Sequence, residues 1–274
     1  MDPVRYCEDA VLVPGTAHHY AIGPVTQPLR GELCAVFALE RDLTKSAYRP
    51  TEGSIALTRL AWWHDELDRL ARAQPRHPVT RALLPVMPKY DIGVGNLHAV
   101  VDALRRDREA MGYATFDVLQ RRCLDIECRV IEIVSRICEP AGQWPVEFAR
   151  DLGTGLALTR LICEFGHDVR IHRIFIPRDE LERFAIVLAD LPQATALPAC
   201  LDYQITRAIG YIDKALAVLP HNSKSAQRPV RTLAAISHTT LREMQRHPVE
   251  YSRETLVLTP LRMWWIAFCT YHLR

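Results

Sequence analysis

The chain has 274 residues, 34 of them basic and 32 acidic, for a formal net charge of +2, and 49% are hydrophobic. That balance excludes an electrostatic nucleic-acid binder, since no basic stripe interleaved with aromatic residues accompanies it, and the apolar content suffices for a substantial core. No apolar run approaches the ~18 residues needed to span a bilayer, and the acid-bearing start MDPVRYCEDAV is not a secretory signal.

The first 25 or so residues read as irregular, because Pro14, Gly15, Gly23 and Pro24 interrupt any helix. His18 and His19, next to Tyr20, read as surface residues. From Pro28, LRGELCAVFALERDL has helical apolar spacing and carries Glu40, Arg41 and Asp42 near its end. The turn at residues 50–53 leads into an amphipathic helix, IALTRLAWWHDELDRLARA, that stops at Pro75. Its Trp62 and Trp63 read as core, and Glu66, which shares their face, reads with the nearby His64, Asp65 and Asp68 as a solvated edge. Further helices are expected over HPVTRALLPVM, near 94–111 and near 115–138.

Pro145 opens the helix that matters most, which runs into LGTGLALTRLICEFGHDVRIHRIFIP. Glu164 and Asp168 are four apart on it, so they share a face and could hold one hard cation. Arg170, His172 and Arg173 follow, a cluster suited to a polyanion carried by that cation. The other reading of the same residues is a solvated turn with ordinary charge pairing.

Asp179–Ala189 and Leu201–Leu219 are expected as helices, His221–Arg228 as a polar connection, and a helix then runs to about Arg246. The last element, TPLRMWWIAFCTYHL, reads as core before partner surface or monotopic membrane contact. No segment alternates with period 2, no fixed repeat occurs, and nothing marks an interdomain linker. The fold class is therefore all-α, one domain over residues 1–274 with roughly ten helices. Eight scattered cysteines without a CxxC spacing read as buried free thiols in a reducing, cytoplasmic setting. There is no GxSxG, Walker or GxGxxG pattern, which removes the serine hydrolase and dinucleotide classes.

Five segments together carry a family resemblance: HHYAIGPVTQPLRGELCAVFALER, LTRLAWWHDELDRL, RHPVTRAL, LGTGLALTRLICEFGHDVRIHRIFIPRDEL and LVLTPLRMWWIAF. In order and wording the chain resembles the squalene/phytoene synthase family of head-to-head prenyl transferases, and within it bacterial presqualene diphosphate synthases. The resemblance implies the isoprenoid synthase fold, helices around a central apolar cavity, with magnesium-bound prenyl diphosphate as substrate. The family's second aspartate motif falls on Glu164 and Asp168, so an aspartate is replaced at the first position, and Ala157, Arg160 and Cys163 stand where glutamine, asparagine and arginine are usual. Arg170, Arg173 and Pro177 are kept. At the first motif, aligned on Arg41, Thr44, Lys45 and Tyr48 occupy the aspartate positions, with Glu40 and Asp42 out of register. In RRCLDIECRVIEIV, which corresponds to a glycine-bearing helix, Cys128 and Ile131 replace small residues and Glu127 adds a charge.

Two expectations follow from the resemblance. In one the protein is a divergent prenyl transferase: Glu164 and Asp168 are catalytic and, with Asp42, bind magnesium, while Arg41, Arg173, Arg228, Arg253 and Tyr20 hold the diphosphate. In the other the fold persists without the chemistry, and the protein binds a lipid or a protein partner as an assembly factor does. Either is compatible with peripheral contact at the inner membrane.

Overall fold

The computed structural model describes residues 2–49, 52–110, 112–142, 144–171, 173–246 and 256–273. Among them every regular element is helical, so the chain is all-α as its periodicity predicts. The elements are α1 (Pro3–Val11), α2 (Ala17–Ile22), α3 (Leu29–Tyr48), α4 (Gly53–Ala71), α5 (Pro78–Leu83), α6 (Val86–Lys89), α7 (Val94–Glu109), α8 (Phe116–Cys123), α9 (Arg129–Cys138), α10 (Val146–Arg170), α11 (Arg178–Arg183), α12 (Leu197–Val218), α13 (Arg228–Arg246) and α14 (Pro260–His272). A π-helical turn, Leu124–Cys128, joins α8 to α9 without a break.

The N-terminal segment is not irregular. Asp2 accepts from the Val4 amide and Pro3 starts α1; Thr16 accepts from the His19 amide and starts α2. The prolines and glycines there delimit two short helices, with Gly15 supplying a positive φ of 86° between them. Cys7 and Val11 are buried, and Glu8 accepts from Gln27 at 2.6 Å and from Arg30 at 2.8 Å, which ties α1 to α3. His18 is partly buried: it packs edge-on against Phe37 at 4.7 Å, and burial lowers its pKa to about 4, so the ring is neutral there.

Other boundaries shift for local reasons. The predicted helix over HPVTRALLPVM is two, split at Pro85. Asp179–Ala189 shortens to α11, which ends where Ala185 takes a positive φ of 53°. On α4, Glu66 does not sit at a solvated edge: it is buried and accepts from Arg69, Thr80 and the Arg76 and His77 amides, whereas Trp62 is exposed. In α14, Trp264 and Trp265 are half exposed and Phe268 is partly so, while only Met263, Ala267 and Thr270 are buried; the core reading of that segment is wrong for its tryptophans. All eight cysteines are free thiols.

Helix α10 is the axis of the packing, in close contact with α9, the π turn, α12 and α13. Phe148, Leu152, Leu158 and Phe165 on it are buried, each stabilising the fold by roughly 1.5–3 kcal/mol. Two glycines let neighbouring backbones approach it. A Cβ on Gly153 would lie 2.5 Å from Cys128 Cα, and one on Gly155 would lie 2.6 Å from Ile212 Cγ1 and 3.1 Å from its amide. The first contact is with backbone of the π turn, which has no rotamer to yield. Gly153→Ala is therefore expected to destabilise the protein by about 1–3 kcal/mol in urea titration, despite alanine's better helix propensity.

Candidate functional site

The last two turns of α10 form one wall of a cleft of about 700 Å³. Glu164, His167 and Asp168 line it, with Arg160 one turn deeper. The opposite wall is the end of α3: Thr44, Lys45, Tyr48 and Arg49. Thr44, Lys45 and Tyr48 thus line the same cleft as Glu164 and Asp168, presenting a hydroxyl, an ammonium and a phenol. Arg108 of α7 and Arg173, just past α10, complete the lining. Five cationic side chains (Lys45, Arg49, Arg108, Arg160 and Arg173) face two carboxylates. A second cavity of about 420 Å³ shares Tyr48, Arg108, Ile171 and Arg173 with the cleft and continues past Asp107, Tyr113 and Arg178 to Ile174, Ile176, Leu181 and Leu188.

Beneath the cleft runs a chain of alternating charges. Glu164 Oε2 lies 3.1 Å from Arg160 Nη1, and Arg160 Nη2 lies 2.7 Å from Glu127 Oε1. The other Glu127 oxygen takes Arg122 Nη1 at 2.6 Å, and Arg122 Nε lies 3.7 Å from Asp107. Asp107 accepts from the hydroxyls of Tyr113, at 2.5 Å, and Tyr48, and pairs with Arg173 at 3.5 Å. The Arg173 guanidinium also stacks 3.6 Å over the Tyr48 ring. The side chains of Asp107, Arg122 and Glu127 are almost wholly buried.

Burial pushes the Glu127 carboxyl up, but Arg122 and Arg160 outweigh it and hold the group below the usual range. Asp107 behaves likewise, with burial opposed by Arg122, the two tyrosine hydroxyls and Arg173. Glu40 has no such relief. Burial and the nearby Glu127 charge raise it to about 7, against weaker opposition from Arg160 and Arg122. Burial also raises Asp168, partly offset by Arg173, and its Oδ2 has no partner among the described residues. Lys45 is lowered by burial and by the nearby Arg41 and Arg49 charges, against an opposing contribution from Asp42.

The structure brings together Glu164, Asp168 and Arg173 of the expected site and disperses the rest. Asp42 lines a separate groove with Tyr6, Trp62, Trp63 and His77, although Lys45 and Arg49 reach both. Tyr20 lies in a groove against α14 with Trp264, Phe268 and Tyr271. Arg228 begins α13 beside Tyr271, where Gln227 bonds the Ser135 carbonyl of α9 at 2.9 Å. Arg41 is partly buried on α3 but is not in the cleft lining, and Arg253 and His172 lie outside the described residues. Asp107, Arg108, Tyr113 and Arg122 belong to the cleft or its floor, although the helices expected near 94–111 and 115–138 carry no motif that marks them.

A magnesium ion needs near-octahedral oxygen ligands. Here Glu164 is engaged by Arg160, Asp168 offers one unpartnered oxygen, and Lys45 occupies the facing wall. These residues do not fit a magnesium cluster, so no step is derived through one.

The family profile described as Squalene/phytoene synthase matches residues 15–264. Phytoene synthase of Mycobacterium tuberculosis is 24% identical over 257 residues, covering 91% of this chain and 84% of its own. The 15-cis-phytoene synthase of Synechococcus elongatus is 23% identical, covering 78% and 75%. Among solved structures, a dehydrosqualene synthase in complex with ligand superposes with a TM-score of 0.81 at 17% identity, covering 97% of this chain and 95% of that one. The squalene synthase HpnC of Alicyclobacillus acidocaldarius gives 0.75 at 18% identity, covering 89% and 93%.

The raised Glu40 carries a pH signature. Its carboxyl holds a proton more tightly folded, near pH 7, than unfolded, near 4.5. Its contribution is therefore fully present below pH 4.5 and is lost as pH rises through 7. Glu40→Gln should remove that fall, so the variant's stability gain over the parent grows by roughly 3 kcal/mol between pH 4.5 and 8, measured by urea titration.

Proposed function

The chain belongs to the squalene/phytoene synthase family, and from that premise we propose that it binds a prenyl diphosphate, gripping the head group with fixed cationic side chains instead of a magnesium cluster. The observation that carries this is the lining of the cleft. Lys45 stands where the family's first motif has an aspartate, Arg160 occupies Glu164, and cations outnumber carboxylates. A diphosphate carries several negative charges at neutral pH, and charge-assisted hydrogen bonds from guanidinium and ammonium groups satisfy them directly. Lys45, Arg49 and Arg173 are the proposed head-group ligands, with Arg41 contributing charge from behind Lys45. The adjoining cavity with Ile171, Ile174, Ile176, Leu181 and Leu188 suits the prenyl chain.

On this reading the protein serves isoprenoid biosynthesis as a binder or a weak catalyst of diphosphate departure, because side-chain cations alone replace the metal's charge only in part. A second reading, a magnesium-dependent transferase, is favoured by one observation: the buried Asp168 Oδ2 is unpartnered and four residues from Glu164. It requires Arg160 to release Glu164, leaving magnesium with Glu164 and Asp168 but without Asp42. A protein partner, as in an assembly factor, is the remaining alternative and has no specific feature of the cleft behind it.

We also propose that the protein meets membranes peripherally through α14. Among the described residues no helix is long and apolar enough to cross a bilayer. Leu261, Trp264, Trp265 and Phe268 are nevertheless exposed on α14, with Phe268 stacked near both indoles and Arg262 adjacent in sequence. A substrate with a long prenyl tail partitions into the same layer.

Two measurements check these proposals. Calorimetric titration of farnesyl thiolodiphosphate should show binding in EDTA that added magnesium changes less than about twofold, with Lys45→Gln and Arg49→Gln each weakening it roughly tenfold. Strict magnesium dependence of binding, or magnesium-dependent formation of a coupled prenyl product that Asp168→Ala abolishes, would instead establish the transferase. In co-sedimentation with anionic vesicles, the parent should bind and Trp264→Ser/Trp265→Ser should lose about tenfold or more in partitioning. Equal partitioning would reject the membrane role of α14.

A further inference from the structure

We propose that His64, Asp68 and His98 form a site for one divalent transition-metal ion, most suitably zinc, that clips α4 to α7 on a face away from the cleft. His64 and Asp68 are one turn apart on α4, so they project from the same face. His98 comes from α7, which packs along α4. One ligand atom from each of the three lies within 4.8 Å of the others. His98 Nε2 is 3.2 Å from Asp68 Oδ1, and the two imidazole centroids are 4.2 Å apart.

A tetrahedral zinc site places neighbouring ligand atoms about 3.3 Å apart, as follows from bonds of roughly 2.0–2.2 Å. The His98–Asp68 edge already has that separation, so only His64, exposed and free to change rotamer, must swing inward. The metal would replace the proton now shared between His98 Nε2 and Asp68. Two imidazoles and one carboxylate select zinc, nickel or cobalt over magnesium and calcium, which favour oxygen.

The surroundings favour a cation. Asp65 adjoins on α4, and Asp102 follows one turn along α7. Arg69 on α4 is turned to Glu66 at 2.7 Å, and Arg105 on α7 to Glu109 at 3.4 Å. The His98 Nδ1 atom is buried without a hydrogen-bond partner among the described residues. No acceptor therefore fixes the ligating tautomer, which sets the expected affinity in the micromolar range instead of the nanomolar range of fully supported sites. With the fourth position open to water, the ion acts as a reversible brace on the α4–α7 pair.

The test uses the full-length protein without a histidine tag. Titration with zinc chloride should show one ion per chain with a micromolar dissociation constant. Zinc at about a hundred-fold excess over that constant should raise the thermal midpoint by roughly 5 °C, while magnesium chloride does not. Cobalt chloride should give visible absorption bands of a low-coordinate nitrogen–oxygen site. His64→Ala, at an exposed position, and His98→Gln should each weaken binding at least tenfold, whereas Asp65→Asn should change it less than threefold. Absence of stoichiometric zinc binding, or binding unaltered in both histidine variants, would overturn the proposal.

Discussion

Arg160 is bonded at once to a buried carboxylate and to a carboxylate on the wall of the cleft. Its two terminal nitrogens reach Glu127 at 2.7 Å and Glu164 at 3.1 Å. Glu127 is the stronger claimant because it is buried and its contact with Arg160 is the shorter, whereas Glu164 is partly solvated; Arg122 holds the other Glu127 oxygen at 2.6 Å. Arg160 is consequently held at the head of the cleft, and Glu164, partly solvated, is the partner that completes its fork. A metal site would ask for the reverse arrangement, with carboxylates unengaged and awaiting a cation.

That constraint reaches through the whole fold. Glu127 is placed by the π turn between α8 and α9, and the π turn lies against α10 only because Gly153 lacks a Cβ. Arg122, one turn earlier, passes the charge to Asp107, and Asp107 fixes Tyr48, Tyr113 and Arg173. The interior thus carries a self-neutralising chain of three carboxylates and three guanidiniums. Such a chain stabilises little in net terms against an apolar core, but it makes each member expensive to remove singly. The residual positive charge of the cleft comes from residues outside the chain, Lys45 on α3 and Arg49 at its C-terminal cap.

Much of this was legible in the sequence where the signal is local. Helical periodicity predicted the all-α class, and the spacing of Glu164 and Asp168 placed both on one helix, α10, where they line the same cleft. Lys45 and Thr44 were legible as departures at the first motif, and they do face the second. Signals that depend on partners distant in sequence were not. Asp107 and Arg122 sit on helices that carry no motif marking them, and their burial follows from α7 and α8 folding over the end of α3. His98 lies 30 positions beyond Asp68 and meets it only because α4 and α7 pack side by side. Asp42 is three residues from Lys45 yet faces mainly the other groove, a rotation of helix face that motif proximity does not encode. Trp264 and Trp265 carry the composition of a core segment, but no helix among the described residues covers them.

The most direct test of metal-free head-group recognition is a crystal structure of the protein soaked with farnesyl thiolodiphosphate and manganese, with diffraction collected at the manganese edge. The predicted result is diphosphate density against Lys45, Arg49 and Arg173, no anomalous peak in the cleft, and Arg160 still joining Glu127 to Glu164. An anomalous peak shared by Glu164 and Asp168, with Arg160 turned away, would contradict it.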